Sequence, residues 1–556
     1  SYYIPNRFTE GYGINRAALQ QLSADGCVLL VSVDCGIASV QTVADMCGAM
    51  DIIITDHHLP GRELPPALAV VNPHRSDCPY PDKELAGVGV AFKLVQALWQ
   101  MEKNQLWADD LDIAALGTVA DLVPLVGENR KIVQMGLARM SENPCPGIQA
   151  LIGVSGLAGK KINTGMVGFQ LAPRLNAAGR LETAQHGVRL LLSEDAGETA
   201  SIADELNSLN TQRRDLEQEI LTEADDLLAD FTPDVPAIVV AGEDWNSGVI
   251  GIVASRLIEK YYRPSIVLTR QGDVYKGSCR SIPGLHMYEA LAACRDTLIQ
   301  FGGHAMAAGL SVECGCLNEF RAAFSEYVEK HLVRADFTPK ISMEGIISPA
   351  AWTVEMAEAL TLLEPYGIGN PRPVFGVRGI RPQSVYAIGA EGQHLRMEVG
   401  TPERRVAALY WNFGDLACVL PEEDSDLAYT PSINEWQGMR SVQCMVEHIM
   451  PSAQERIFPD REMLKKIYAF LRSQQTKDGG VPYSETALTS KFSRTIEHIS
   501  RYTMSCALSI FRELGLLVPA SGAHWRFIPP QGRLELSNAP TFRREQERKE
   551  DTAYVR

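Results

Sequence analysis

The chain has 556 residues, 46% hydrophobic and 22% charged, with a formal net charge of −16 at pH 7. These values describe a globular protein of about three or four domains. They exclude indiscriminate polyanion binding, so that any nucleic-acid contact must rest on local grooves. No apolar stretch reaches the length of a membrane span, and the twelve cysteines form no C-x-x-C pair; scattered thiols suit a reducing cytoplasm.

In residues 1–150, apolar runs alternate with helical segments, which predicts a parallel sheet covered on both faces. Arg7 lies in a polar loop after Tyr2-Tyr3-Ile4 and, taken alone, reads as a solvated side chain. Val28 to Val33 reads as a strand ending in Asp34-Cys35-Gly36, and Ile37 to Met50 as a crossover helix. Ile52-Ile53-Ile54 then runs into Thr55-Asp56-His57-His58, the pattern of a buried strand meeting an acid and two imidazoles. Val70 to His74 reads as a further strand, Leu85 to Gln100 as a helix opened by small residues, and Leu111 to Ala120 as an apolar element whose end delivers Asp121. Ligands of open α/β sheets sit at the carboxyl ends of strands. Asp-His-His by itself is equally the signature of an unliganded surface turn. The three acids at segment ends add to it, because carboxylates beside imidazoles suit Mn²⁺ or Mg²⁺. Two such ions about 3.5–4 Å apart serve phosphoester hydrolysis.

Residues 151–234 connect this region to the next. Arg174 and Arg180 flank Asn176-Ala177-Ala178-Gly179, which reads either as a phosphate cradle or as a helix–loop joint covered by arginine stems. Thr199 to Phe231 lacks Gly and Pro and predicts one long helix. Residues 235–335 suggest a second α/β lobe, with a strand at Ala237–Ala241 and a helix opening near Trp245–Ala254. Ser278 and Arg280, in a segment placed after a strand, offer a hydroxyl and a guanidinium; Gly303-His304 sits in a glycine-bracketed turn. In residues 340–452, short alternating runs such as Leu395–Val399 and Val406–Tyr410 predict a small antiparallel barrel. Tyr410, Trp411 and Trp436 there are either core or base-stacking residues. Residues 456–535 read as helical, with apolar periodicity at Glu462–Leu471 and Met504–Leu517 and a wing-like strand at Trp525–Pro529; 536–556 reads as a charged, disordered tail.

Val33-Asp34-Cys35-Gly36, Thr55-Asp56-His57-His58 and Gly117-Thr118-Val119-Ala120-Asp121 resemble the second, third and fourth motifs of the DHH phosphoesterases. Pro5-Asn6-Arg7-Phe8, Glu10-Gly11-Tyr12-Gly13, Leu85 to Phe92 and Pro173 to Arg180 resemble the RecJ-type single-strand exonucleases of that family, over residues 1 to about 450. Cys35 stands where the family usually has Asn, and the family's first motif, D-x-D-x-D-G, would lie upstream of Pro5. The resemblance implies a parallel-sheet DHH lobe and an α/β DHHA1 lobe joined by a long helix, followed by an OB-fold β-barrel and a C-terminal helical, winged-helix-like domain. It implies a metal-dependent 5′→3′ exonuclease on single-stranded DNA in repair and recombination, with two Mn²⁺ or Mg²⁺ ions in the complete protein. Asp34, Asp56, His57 and Asp121 would be ligands, and His58 a ligand or phosphate contact. Arg7, Arg174, Asn176, Arg180, Ser278, Arg280, Gly303 and His304 would bind phosphate. It further implies a cytoplasmic monomer working with a helicase and a single-strand-binding protein. Two alternatives are a DHH phosphodiesterase on short oligonucleotides or cyclic dinucleotides, whose relatives generally lack the OB and tail domains, and a catalytically silent DNA-binding scaffold. Lacking the first motif's acids, the chain as given is expected to fold and to hydrolyse DNA poorly.

Overall fold

A computed structural model describes all residues except 6–9, 12, 106, 230, 232–234, 403, 478, 521–522, 531, 533 and 547–556. The chain divides into two compact units, one formed by Ser1–Pro339 with Glu364–Pro371 and the other by Lys340–Leu363 with Arg372–Arg556.

In the first unit, α1 (Arg16–Ala24) begins at Asn15, whose side chain accepts the Ala18 amide proton at 2.7 Å. β1 (Leu29–Val33), β2 (Asp51–Thr55) and β3 (Ala69–Val71) then form a parallel sheet in that order, with Leu30 beside Ile52 and Ile54 beside Val70. The crossover between β1 and β2 contains only a short helix, α2 (Val40–Asp45), because the chain turns at Gly48 with φ +85°. α3 (Gly87–Lys103), α4 (Leu111–Ala120), α5 (Gly127–Glu142) and α6 (Pro146–Val154) follow.

The apolar element that carries Asp121 is a helix, α4. Short apolar runs do not separate a buried helix from a buried strand. Here packing between neighbours decides: a Cβ on Gly117 would lie 2.8 Å from a Val88 methyl on α3, and one on Gly136 of α5 would lie 2.2 Å from the Leu111 carbonyl. Leu116, Val119, Val133, Leu137, Ile148 and Leu151 form the core around it.

The chain continues through α7 (Thr164–Met166), a π-helical turn Val167–Leu171, α8 (Ala172–Leu181), α9 (Gln185–Leu192) and α10 (Ala196–Leu227). The predicted long helix is present with shifted ends; Asp195 caps it by accepting the Glu198 amide proton at 2.7 Å. Ile202, Leu206 and Leu209 on its first half belong to the helical core, whereas Ile220 and Ala224 on its second half pack with Trp245 and Val249. One helix thus joins two cores. Its buried Glu217 accepts from Arg213 at 2.5 Å and from Arg256 of the second lobe at 2.9 Å.

That second lobe contains β4 (Ile238–Gly242), α11 (Ile250–Tyr261), β5 (Ser265–Gln271), β6 (Val274–Arg280), α12 (Met287–Ala293), β7 (Gln300–Gly303), β8 (Ala307–Glu313) and α13 (Leu317–His331). Its sheet runs β4-β5-β6-β8-β7, parallel between β4 and β5 and antiparallel elsewhere. The segment Glu364–Pro371, although distant in sequence, docks on the first unit: the Leu125 amide donates to the Ile368 carbonyl at 2.6 Å, and Thr164 to the Tyr366 carbonyl at 2.7 Å.

The second unit holds β9 (Gly345–Ile346), α14 (Val354–Thr361), β10 (Phe375–Ile380), β11 (Gln383–Ile388), β12 (His394–Thr401), β13 (Arg404–Tyr410), β14 (Ser425–Trp436) and β15 (Met439–Pro451). They form one sheet, β11-β12-β13-β15-β14-β10-β9, around Leu395, Met397, Tyr429 and Cys444. The β13–β15 and β9–β10 pairings are parallel, and β11 and β9 end the sheet without pairing to each other. The expected closed antiparallel barrel is accordingly an open, mixed sheet, since closure requires the terminal strands to bond.

Next come α15 (Arg461–Ser473), β16 (Gly480–Val481), α16 (Glu485–Thr495), α17 (Arg501–Glu513), β17 (Leu517–Ala520) and β18 (Ala523–Phe527), three helices with a small sheet ordered β16-β18-β17. The helix expected over Met504–Leu517 stops at Glu513, because Gly515 at φ +72° turns the chain into β17. The tail is not disordered throughout: Ala539 and Phe542 are buried in this core, and Thr541 bonds Glu513 through its amide and hydroxyl. Two apolar side chains in a charged stretch are enough to dock it. Residues 547–556 lie outside the described residues.

Candidate metal centre

Parallel pairing of β1 and β2 brings their carboxyl ends together, with the Asp34 amide donating to the Thr55 carbonyl at 2.9 Å. Asp34 has φ +59°, a left-handed conformation costly for a non-glycine residue. Its carboxylate lies against the start of α3, where a Cβ on Gly87 would stand 2.2 Å from Oδ1. Only glycine leaves room there, and the negative charge sits at a helix N-terminus that has no side-chain cap. Asp121 is the C-cap of α4 and is followed by Leu122 at φ +59°.

His57 stands between these two acids, with Nε2 3.1 Å from Asp34 Oδ1 and 3.4 Å from Asp121 Oδ2. That nitrogen is shielded from solvent and forms no well-oriented hydrogen bond. Burial alone would lower the His57 pKa; Asp34, Asp121 and Asp56 outweigh it and raise it. Burial and the nearby Asp34 charge likewise hold Asp121 above its ordinary value, against the opposing pull of His57. Donor atoms of Asp34, His57 and His58 lie within 4.8 Å of one another. A buried, unpartnered imidazole nitrogen flanked by two acids is the donor set that a divalent cation completes.

Asp56 is different. The sequence reading gives it a ligand's role, yet it is 1% exposed and its oxygens are already taken. Oδ2 accepts from the Ile37 amide at 2.9 Å; Oδ1 accepts from the His57 amide at 2.8 Å and the His58 amide at 3.2 Å, and lies 2.7 Å from His58 Nδ1. Burial pushes its pKa up, but these bonds together hold it low. Asp56 backs the His58 ring, in the manner of a carboxylate behind a metal-binding imidazole, and fixes the backbone of His57 through its amide. Cys35 is pushed up to about 11 by burial and then by Asp56 and Asp34, and so remains a thiol. The small residues that open α3 make room for Asp34, a tertiary contact that a helix-start pattern does not reveal.

The expected phosphate contacts separate into groups. Asn176, Ala177, Ala178 and Gly179 are part of α8 and not a turn, and both alanines are fully buried, so their amides cannot cradle an anion. Arg174 is bound to the Asn207 side chain at 3.0 Å and to the Gln170 carbonyl at 2.6 Å, with burial and then Arg214 lowering its pKa. Arg180 donates to the Gly248 carbonyl at 3.0 Å and ties α8 to the second lobe, while Asn176 is exposed.

Ser278 and Arg280 lie within β6 itself, two residues apart on one face, with Nη1 donating to the Ser278 hydroxyl at 3.2 Å. A Cβ on Gly251 would stand 2.8 Å from that hydroxyl and 3.3 Å from Arg280 Nη2. The first turn of α11, a hydroxyl and a guanidinium thus converge, a grouping whose chemistry suits an anion. Gly303, at φ +146°, leaves 2.4 Å between its missing Cβ and Ala308 Cα, and the exposed His304 closes the β7–β8 turn through its amide. Arg7 lies outside the described residues.

Among the aromatics, Tyr410 is core: it is 6% exposed and stacked on Phe413 at 3.9 Å, so it is not available to a base. Trp411 is 48% exposed and meets His394 edge-on. Trp436, 68% exposed at the end of β14, borders a cavity of about 600 Å³ with Arg396, Asn434, Met439, Arg440 and Ser441.

Family comparisons agree with this layout. The DHH family N-terminal domain matches residues 1–118, the DHHA1 domain 234–330 and the RecJ OB domain 343–448. The single-stranded-DNA-specific exonuclease RecJ of Escherichia coli (strain K12) is 39% identical over 480 residues, 81% of this chain and 82% of that protein. The chain belongs to the RecJ family. RecJ of Bacillus subtilis (strain 168) is 41% identical over 451 residues, 80% of this chain but only 57% of that protein, so the match spans little more than half its length. The crystal structure of RecJ from Thermus thermophilus in complex with Mn²⁺ matches with a TM-score of 0.69 and 32% identity, over 83% of this chain and 68% of that one. A Mg²⁺ complex of the same RecJ matches with a TM-score of 0.64. The DHH, DHHA1 and OB parts of the RecJ fold are all present here, and among the described residues no helix is long and apolar enough to cross a membrane.

Proposed function

We propose that this chain hydrolyses single-stranded DNA from its 5′ end, using Mn²⁺ or Mg²⁺ held by Asp34, His57 and Asp121. The observation that carries the reading is the buried, unpartnered His57 Nε2 lying 3.1 Å and 3.4 Å from two acids. Divalent ions held there would supply Lewis acidity, to activate a water and to stabilise charge on the leaving oxygen. The chain's own groups do the rest. Asp56 holds the His58 ring and the backbone amides of His57 and His58. Ser278, Arg280 and the first turn of α11 hold a phosphate of the strand, and Arg280 is suited to this because its guanidinium can bind two oxygens at once. Trp436, which lines one cavity with Arg396 and Arg440, offers a face on which a base can stack.

The RecJ relatives named as single-stranded-DNA-specific exonucleases support the substrate class. Work beside a helicase and a single-strand-binding protein, as a cytoplasmic monomer in repair and recombination, completes the proposal. The test is Asp121→Asn, assayed with Mn²⁺ on a 5′-phosphorylated single strand. Hydrolysis is lost while strand binding persists; retention of most hydrolysis removes Asp121 from the centre. Linear single strands are degraded and circular ones are spared, and equal cutting of both would show an endonuclease.

A further inference from the structure

A second set of metal-binding side chains lies away from this centre, where α8, α9 and α10 meet. Glu182 caps α8, His186 is the second residue of α9, and Glu205 projects from α10. One donor atom from each lies within 4.8 Å of the other two. His186 Nδ1 is 3.1 Å from Glu205 Oε2, yet it forms no hydrogen bond and is shielded from solvent. Nearby cations are engaged elsewhere: Arg189 is bound to Glu198 at 2.9 Å, and Arg174 to Asn207 at 3.0 Å. Two carboxylates and a shielded imidazole nitrogen thus face one another, and Arg189, which also feels the Glu205 charge, has its hydrogen bond with Glu198.

We propose that Glu182, His186 and Glu205 form a binding site for a first-row transition-metal ion, Zn²⁺ by preference. One nitrogen and two oxygen donors make a three-ligand Zn²⁺ set that water completes to four. The nitrogen selects against Mg²⁺, and the usual affinity order places Zn²⁺ above Mn²⁺. Two carboxylates balance the ion's charge. The consequence is mechanical. The ion ties the end of α8 to α9 and α10, and α8 carries Arg180, which holds the Gly248 carbonyl ahead of α11. It therefore stiffens the joint between the helical core and the lobe that carries Ser278 and Arg280.

The site is tested in the full chain carrying Asp34→Asn and His57→Ala, so that the first centre no longer competes. Co²⁺ titration, read by visible absorption, is followed by displacement with Zn²⁺. One equivalent binds, is displaced by Zn²⁺ and not by millimolar Mg²⁺, and raises the thermal midpoint. Adding His186→Ala abolishes that equivalent, and Glu205→Gln, which keeps the shape of the side chain, weakens it at least tenfold; circular dichroism without metal checks that each variant is folded. No Co²⁺ or Zn²⁺ binding in the double-variant background overturns the proposal, as does binding that either added substitution leaves unchanged.

Discussion

Gly87→Ala isolates the geometry of the metal centre from its chemistry. Gly87 supplies no donor, yet a Cβ there would lie 2.2 Å from Asp34 Oδ1 and 2.5 Å from the carboxyl carbon. Ordinary carbon contacts fall at about 3.5 Å or more, so the carboxylate must retreat by about 1 Å. It can do so only by leaving its place 3.1 Å from His57 Nε2, or by straining a backbone already at φ +59°. A misplacement of about 1 Å in a catalytic group costs about 10²-fold in rate. Helix propensity acts the other way, since Ala is favoured over Gly by about 1 kcal/mol inside a helix. The variant therefore melts near the wild-type temperature, while Mn²⁺-dependent hydrolysis of a 5′-phosphorylated oligonucleotide falls about 10²-fold and Mn²⁺ binding measured by electron paramagnetic resonance weakens in parallel. Gly153→Ala in α6, where a Cβ meets nothing within 4 Å, is the control and leaves both unchanged. Wild-type turnover in Gly87→Ala would refute the placement of Asp34 in the centre.

Asp56→Asn, which unsettles the orientation of His57 and His58, reduces Mn²⁺ affinity or turnover by about 10–100-fold, the range for groups behind a ligand; isothermal titration distinguishes this from the full loss expected of Asp121→Asn. Arg501→Met strands the fully buried Glu423 carboxylate, which Arg501 holds at 2.8 Å and 3.0 Å. That costs about 3–5 kcal/mol, read as a lower urea midpoint for the second unit. Trp436→Ala weakens single-strand binding by about 1–3 kcal/mol in fluorescence anisotropy, whereas Tyr410→Ala lowers thermal stability by opening the core. Burial holds Glu485 above its ordinary pKa against Ser505, Arg501 and Arg512. A raised carboxyl pKa leaves stability greatest below the unfolded value of about 4.3 and lost as pH rises through the folded value, so Glu485→Gln raises the thermal midpoint at pH 7 and leaves it unchanged at pH 4.

The sequence by itself determined the order of the lobes, the parallel β1–β2 pair and the acids at its ends. A strand buried in a parallel sheet needs a run such as Ile52-Ile53-Ile54, and the sheet's topology fixes where the residues after it emerge. The long helix was equally legible, because 32 residues without Pro and with apolar positions on two cores leave few other readings. Tertiary structure decided what local pattern could not. Asp121 arrives from a helix because Gly117 and Gly136 admit neighbouring helices, a choice invisible in the apolar run itself. Asp56 and Asp34 are both acids at strand ends, and only the donors around each separate an orienting carboxylate from one facing His57. Tyr410 and Trp436 look alike as strand aromatics, and the sheet buries one and exposes the other. The set formed by Glu182, His186 and Glu205 has no spacing that sequence reading recognises, since three helices deliver its members separately. Sequence patterns report periods within an element; which side chains meet across elements is settled by packing.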